Sequence, residues 1–324
     1  MYRKISAILI STVIAVGIIA FMLYRVWDEL LVALENAVWY YLLVASIICL
    51  TAWFLRGLRY KVILSGIGIT CGLLFSTACI FISQTANLIV PARLGDLVRV
   101  FILKHEYHST ISQGISSLVV ERVFDIVMVA LLGAISLLFV LNVPGWFYTI
   151  IIFTLALGAA FFIFLIFSGR LVSENRYIRI LLSILDQIRA VSLSLRSVAS
   201  LSFQSIVIWI LDVLVCFFVA LMFQQTIPFA VLVLGVVIGN LVKAIPLTPG
   251  GIGTYEIAVA LTFTAAGVDP AIATLIAVID HLLKNLVTLA GGIVSIYFFG
   301  DWVVDTIRSA FRREMYGGGE DPGV

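Results

Sequence analysis

Six apolar runs in this chain are each long enough to cross a lipid bilayer, which needs about 20 apolar residues in a helix. They lie at residues 5–24, 38–55, 109–141, 146–167, 201–223 and 271–299. Hydrophobic residues make up 62% of the chain and charged residues 12%, and the mean hydropathy is +1.18. Because a soluble domain carries far less apolar sequence, the chain is predicted to be an all-α, polytopic integral membrane protein.

Two further apolar regions, about 71–104 and 229–267, are interrupted. The first contains Pro91-Ala-Arg93-Leu-Gly95-Asp96, and the second contains Pro246-Leu-Thr-Pro249-Gly250-Gly251-Ile-Gly253-Thr-Tyr-Glu256. Proline and glycine break a helix and free its backbone groups. Within a membrane such backbone is tolerated only inside protein or along a wet cavity. We therefore predict two re-entrant helical hairpins, with Pro249, Gly250, Gly251 and Gly253 supplying the free backbone of the second.

The basic residues decide how the spans are counted, because cytoplasmic loops are enriched in lysine and arginine. Six spans plus two hairpins that return to their own side place 16 of the 20 basic residues in the cytoplasm and Arg25 alone outside. Both termini are then cytoplasmic, in the cell membrane, and the first hairpin enters from the cytoplasm and the second from outside. Residues 1–300 form one membrane domain under this prediction, and 301–324 form a cytoplasmic tail with a disordered end.

The two interrupted regions share an order of features that indicates an internal repeat. In each, an asparagine precedes the break, an acidic residue follows it, and a charged cluster comes about 25 residues later. These features are Asn87, Asp96 and Glu121-Arg122-Val-Phe-Asp125 in the first half, and Asn240, Glu256 and Asp280-His281-Leu-Leu-Lys284 in the second. Matching features on hairpins of opposite entry resemble the inverted repeats of secondary transporters.

Charges inside membrane spans are costly and usually mark function. By helical spacing Arg122 is expected to pair with Asp125, and Lys284 with Asp280. The alternative role for these pairs is to lock helices together. Asp212 has no evident partner, and it is expected to pair with a charge on another helix or to take up a proton.

Two arginines, Arg93 and Arg99, flank Asp96 in the first hairpin. A guanidinium group matches phosphate oxygens with two parallel hydrogen bonds. A phospholipid or polyprenyl phosphate head group would suit this site. For Arg99, anchoring at the inner membrane interface is an equal alternative.

Enzyme signatures are mostly missing from the sequence, which has no HExxH pattern and no spacing typical of a zinc site. An intramembrane aspartyl protease needs a proton shared between two aspartates, and the arginines beside Asp96 oppose that. We therefore predict no enzyme activity, catalytic residue, metal, cofactor or nucleic-acid partner.

Four motifs, in order, resemble the flippase-like family that is also called the lysylphosphatidylglycerol synthase transmembrane region. They are Arg56-Gly-Leu-Arg59-Tyr60, residues 91–99, residues 121–125 and residues 249–256, within a resemblance that covers about residues 5–299. The resemblance implies a lipid-handling protein without the soluble synthase domain and its lysyl-transfer activity. Archaeal relatives linked to dolichol-phosphate-dependent glycosylation keep polyprenyl phosphates among the candidate lipids. The family often has an arginine in the last helix where this chain offers His281 or Lys284.

These observations lead to one function hypothesis and two alternatives. The chain is expected to move a lipid with an anionic head group between leaflets, with the two hairpins meeting near the midplane. The residues expected to coordinate or balance the head group are Arg93, Asp96, Arg99, Glu121, Arg122, Asp125, Glu256, Asp280, His281 and Lys284. The alternatives are an ion- or proton-coupled transporter of a small solute, and a scaffold for a lipid-modifying partner. The lipid and the oligomeric state stay open.

Overall fold

The computed structural model describes residues 17, 19–22, 24, 27–90, 93–140, 144–169, 175–245 and 248–299. Regular structure in these residues is entirely helical. The helices are α1 (Trp27–Glu35), α2 (Tyr40–Gly66), α3 (Leu73–Ile89), α4 (Asp96–Tyr107), α5 (Ile111–Leu137), α6 (Gly145–Ser168), α7 (Arg176–Ser192), α8 (Leu195–Met222), α9 (Phe229–Ala244), α10 (Thr254–Ala265) and α11 (Pro270–Phe299), with a 3₁₀ turn at Pro249–Gly251.

Four of these helices, α2, α6, α8 and α11, are long and apolar enough to cross a membrane. Helix α5 is as long as α2, at 27 residues, but carries Glu121, Arg122 and Asp125 in its middle. The prediction of an all-α integral membrane protein is confirmed. The predicted first span at 5–24 and the tail at 301–324 fall largely or wholly outside the described residues.

The two interrupted regions each fold as a pair of helices packed side by side, α3 with α4 and α9 with α10. Their first helices have 17 and 16 residues, about 24–26 Å of helix, which is short of a comfortable span. Their second helices have 12 residues each. Arg93, in the first break, adopts the left-handed backbone conformation, with φ of 56°. Helices α4 and α5 are separated only by residues 108–110, and the Thr110 side chain caps α5 by accepting from the Gln113 N–H.

In each half of the chain, the first helix of the interrupted region packs on the long helix that follows the interrupted region of the other half. We call this arrangement exchange packing. Helix α3, from the first pair, packs on α11, which follows the second pair, and α9 packs in the same way on α5. Small residues permit both contacts: Gly292 of α11 meets Thr85, and Gly133 of α5 meets Val237. Helices α2 and α8 pack against each other between the halves. Each half therefore completes the core of the other.

Candidate functional site

The tips of the two helix pairs touch each other. The guanidinium of Arg93 donates a hydrogen bond to the main-chain carbonyl of Lys243, with an N–O distance of 3.2 Å. Leu88 packs so closely over Gly250 that a Cβ there would lie 2.7 Å from it. These contacts bring the two breaks, more than 150 residues apart in the chain, to one place.

A cavity of about 160 Å³ lies beside the touching tips and is lined by α2, α3, α5, α8, α9, α10, α11 and both breaks. An engineered cavity of similar size in another protein holds benzene, so a phosphate group fits this volume. The charged and titratable lining residues are Arg56, Arg93, Glu121, Arg122, Asp125, Asp212, Lys243, Tyr255, His281 and Lys284. Of the fourteen predicted site residues, eight line the cavity: Arg93, Glu121, Arg122, Asp125, Gly250, Gly251, His281 and Lys284. The other six, which are Asp96, Arg99, Pro249, Gly253, Glu256 and Asp280, lie outside the lining.

The acidic residue after the first break is held by the next long helix. Asp96 accepts a hydrogen bond from Arg122 of α5 at 2.7 Å. Its other oxygen accepts from Ser83 and Asn87 of α3, each at 2.9 Å. Asn87 thus ties the helix before the break to the carboxylate after it, and that carboxylate orients Arg122 at the cavity wall.

The expected pair between Arg122 and Asp125 does not form. Asp125 instead binds Arg59 of α2, with N–O distances of 2.5 and 2.9 Å to its two oxygens. This geometry is the planar fork that favours an arginine–carboxylate pair. Arg59 is 1% exposed and also donates to Ser205 of α8 at 2.8 Å. A partner from another helix therefore displaced the one predicted from local spacing.

Arg99 is fully buried and donates to Glu121 at 2.5 Å, with the Tyr60 ring 4.8 Å from its guanidinium. A side chain with no exposed surface does not fit the alternative of an interfacial anchor. Direct contact of Arg99 with a head group stays a prediction, since Arg99 lies off the cavity wall.

The second break builds a chain of three groups that ends at the cavity. Glu256 accepts the Gly253 backbone N–H at 2.7 Å and contacts His281 Nδ1 at 2.8 Å. His281 Nε2 lies 2.9 Å from Lys243 Nζ. A lysine ammonium can only donate. His281 therefore accepts at Nε2, carries its proton on Nδ1 and donates that proton to Glu256. We call this chain the Lys243–His281–Glu256 relay.

Two further ion pairs border the cavity. Lys284 binds Asp280 at 2.8 Å, as its helical spacing predicts, and Asp280 also accepts from the Tyr255 hydroxyl at 2.8 Å. Asp212 has a partner that the sequence left open, since Arg56 of α2 binds it at 2.6 Å.

Arg93 and Lys243 differ from the other cations at the cavity. Across the described ranges, neither lies within salt-bridge distance of a carboxylate, whereas Arg56, Arg59, Arg99, Arg122 and Lys284 all do. Lys243 was absent from the predicted site. The sequence feature that could have identified Lys243 as a site residue is its position inside an apolar run, three residues before Pro246. Within the part of the chain that the structure describes, the cavity thus holds two cations with no acidic partner.

Comparison with known protein families identifies the family of this chain. The family model for the lysylphosphatidylglycerol synthase transmembrane region matches residues 8–292. The chain belongs to this family. The prediction made from the four motifs is confirmed, and residues of all four border or support the cavity.

Three relatives of this family member are informative. The glycosyltransferase AglD of Haloferax volcanii is 32% identical over 90% of this chain, which spans 54% of that protein's length. A UPF0104 membrane protein of Methanocaldococcus jannaschii is 29% identical over 65% of this chain and 92% of its own. One from Pyrococcus horikoshii is 26% identical over 78% of this chain and 86% of its own.

The prediction that the chain has no enzyme activity is wrong by this comparison. AglD, which matches 90% of the chain, carries the name of an enzyme. The sequence argument had rested on the lack of zinc, serine and aspartyl hydrolase patterns, and those patterns do not bear on glycosyl transfer.

Proposed function

We propose that this family member moves a lipid with an anionic head group, a phospholipid or a polyprenyl phosphate, between the leaflets of the cell membrane. One observation carries the proposal: Arg93 and Lys243 meet at the cavity without a carboxylate partner in the described residues. Cations away from water are normally paired. An anionic group entering the cavity would supply the missing partner, and the guanidinium fork suits phosphate oxygens.

The proposed membrane arrangement has six spans and two re-entrant hairpins, α3–α4 and α9–α10, that enter from opposite sides, with both termini in the cytoplasm. Short first helices and the exchange packing of α3 on α11 and α9 on α5 support it. Opposed hairpins whose tips meet are typical of inverted repeats. Rocking of one half against the other would then expose the cavity to each leaflet in turn.

Single cysteines at the ends of the two hairpins test this arrangement. The four native cysteines are buried, so their background labelling is low. Glu106, near the end of α4, and Ala265, at the end of α10, are both exposed. We expect Glu106→Cys to react with a membrane-impermeant maleimide only from the cytoplasmic side, and Ala265→Cys only from outside. Labelling of both from one side would contradict the opposed entry.

The ion pairs would guide the head group through the cavity. Arg122 and Lys284 line the wall and are held by Asp96 and Asp280 behind it. A phosphate can contact such cations while their carboxylates keep them in position. Because the paired groups are nearly neutral, the strongest attraction falls at Arg93 and Lys243.

Translocation in liposomes tests the function directly. The purified chain is reconstituted, and movement of fluorescent phospholipids and polyprenyl phosphates between leaflets is followed by chemical quenching of the outer leaflet. Arg93→Gln is expected to slow movement at least about tenfold, because a charge-assisted hydrogen bond contributes about 1.5–3 kcal/mol. Lys243→Gln should act in the same direction.

Lys104→Gln is the matched control, since Lys104 is exposed on α4 and absent from the cavity lining. It should translocate at the wild-type rate. An unchanged rate in both cavity variants would remove their proposed role. If the wild-type chain moves none of these lipids, the function itself is refuted.

Glycosyl transfer involving a lipid carrier is the second candidate, favoured by the similarity to AglD. The anion site would then hold the phosphate of the lipid carrier during transfer. Incubating the purified chain with a labelled nucleotide sugar and a polyprenyl phosphate should yield a labelled lipid in this case. Lipid movement without any such product would favour translocation, and product without movement would favour transfer.

A further inference from the structure

The Lys243–His281–Glu256 relay gives the cavity a place for a proton as well as for an anion. We infer that His281 takes up a proton when an anionic head group binds Lys243, so that anion binding at this site is coupled to a proton. This inference rests on the proposed function, because it concerns the same anion site. It adds a coupling ion to the lipid.

Lys243 has a hydrogen-bond partner that an anion can replace. Its ammonium donates to His281 Nε2 at 2.9 Å, a neutral acceptor, and lies at the cavity wall. An anionic oxygen is a stronger acceptor for an ammonium than a neutral nitrogen is. An anion beside Arg93 therefore draws the Lys243 hydrogen bond away from His281.

Once Lys243 has turned to the anion, His281 keeps its other hydrogen bond. Its Nδ1–H remains bonded to Glu256 at 2.8 Å, so the imidazole stays in place. His281 is 1% exposed, so the Nε2 lone pair is then buried without a donor. A proton from water entering the cavity fills that position, and the imidazolium then lies between Glu256 and the bound anion. The proton leaves again when the anion departs and Lys243 returns.

The charged surroundings of His281 give the direction of the coupling. The titratable and charged groups around it are Glu256 and Tyr255 from α10, Lys243 from α9, and Asp280 and Lys284 from its own helix. Arg93 from the first break and the Asp212–Arg56 pair from α8 and α2 line the same cavity. With no ligand, Lys243 opposes a positive charge on His281. A bound anion reverses that local balance, so anion and proton bind cooperatively and the reciprocal effect follows by linkage.

Binding of a phosphodiester lipid to the full chain in detergent tests the inference. The probe is dioctanoyl phosphatidylglycerol, whose phosphodiester carries one negative charge throughout the range from pH 5.5 to pH 7.5. Calorimetry is run at both pH values in two buffers of different ionisation enthalpy. Wild type should take up between about half and one proton per lipid bound, and its affinity should rise as pH falls, by up to about tenfold per pH unit.

Two variants and a control separate the roles. His281→Gln should bind the lipid more weakly than wild type at pH 5.5, and it should lose both the proton uptake and the pH dependence. Lys243→Gln should lower the lipid affinity. It should also reduce the proton uptake, because there is then no Lys243 ammonium for the anion to draw away from His281 Nε2. His105→Gln, at an exposed histidine of α4, should match wild type.

The possible results test this inference separately from the proposed function on which it rests. Lipid binding of equal affinity at both pH values, with no proton uptake, overturns the coupling and leaves the anion site standing. Proton uptake that persists in His281→Gln also overturns it. Failure of the lipid to bind at any pH refutes the anion site, and the coupling with it.

Discussion

Replacing Arg59 by methionine is expected to destabilise the protein by about 3–5 kcal/mol, the cost of removing one partner from a buried ion pair. Arg59 is 1% exposed and holds Asp125 with two hydrogen bonds. Its loss leaves that part-buried carboxylate without its main cation and frees Ser205 on a third helix. The midpoint of thermal unfolding in detergent, followed by circular dichroism, measures the effect.

Lys61→Met is the control for Arg59→Met, because Lys61 lies two residues away on α2 and is exposed. It should change the midpoint little. Adding Asp125→Leu to Arg59→Met should recover most of the loss, since replacing both members of a buried pair by apolar groups is often close to neutral. Equal midpoints for Arg59→Met and Lys61→Met would show that the pair does not hold the helices together.

Replacing Gly251 by alanine is expected to impair both stability and translocation. Gly251 has φ of 74°, a backbone conformation that costs other residues about 1–2 kcal/mol. A Cβ there would also lie 2.5 Å from Cγ of Lys243. Lys243 must move to relieve that contact, and its ammonium leaves the position beside Arg93. We expect the translocation rate to fall at least about tenfold, as for loss of a charge-assisted hydrogen bond.

Gly267→Ala isolates the backbone part of this effect. Gly267 has φ of 90°, and nothing lies within 4 Å of the Cβ that alanine would add. This variant should lose about 1–2 kcal/mol of stability and keep the wild-type translocation rate per folded molecule. If both glycine variants lose translocation equally, the contact with Lys243 does not explain the defect.

Much of the site could be predicted where local rules apply. Proline and glycine mark both breaks, because they interrupt a helix whatever surrounds them. The 25- or 26-residue spacing from each acidic residue to a base in the next long helix corresponds to real contacts, Asp96 with Arg122 and Glu256 with His281. The pair of Asp280 and Lys284 follows from helical spacing alone.

The partners chosen across the fold could not be predicted from spacing. Arg59 is 66 residues from Asp125 and Arg56 is 156 from Asp212, and only the packing of α2 against α5 and α8 brings them together. A buried arginine on a neighbouring helix competes with a local partner through its two-bond geometry. For this reason the expected Arg122–Asp125 pair was wrong. The number of spans and the lipid-contact roles stay predictions.

Exchange packing between the halves has a consequence for biosynthesis. Helix α3 is made early, but the helix it packs on, α11, ends at Phe299 and is among the last parts of the described chain to leave the ribosome. Until then the face of α3 that carries Phe81 and Thr85 lacks its cover, because Gly291 and Gly292 of α11 pack against these side chains and the Thr288 carbonyl accepts from Thr85. The nascent first half must therefore wait in an incomplete form, and final closure of the core is a late, post-insertion event.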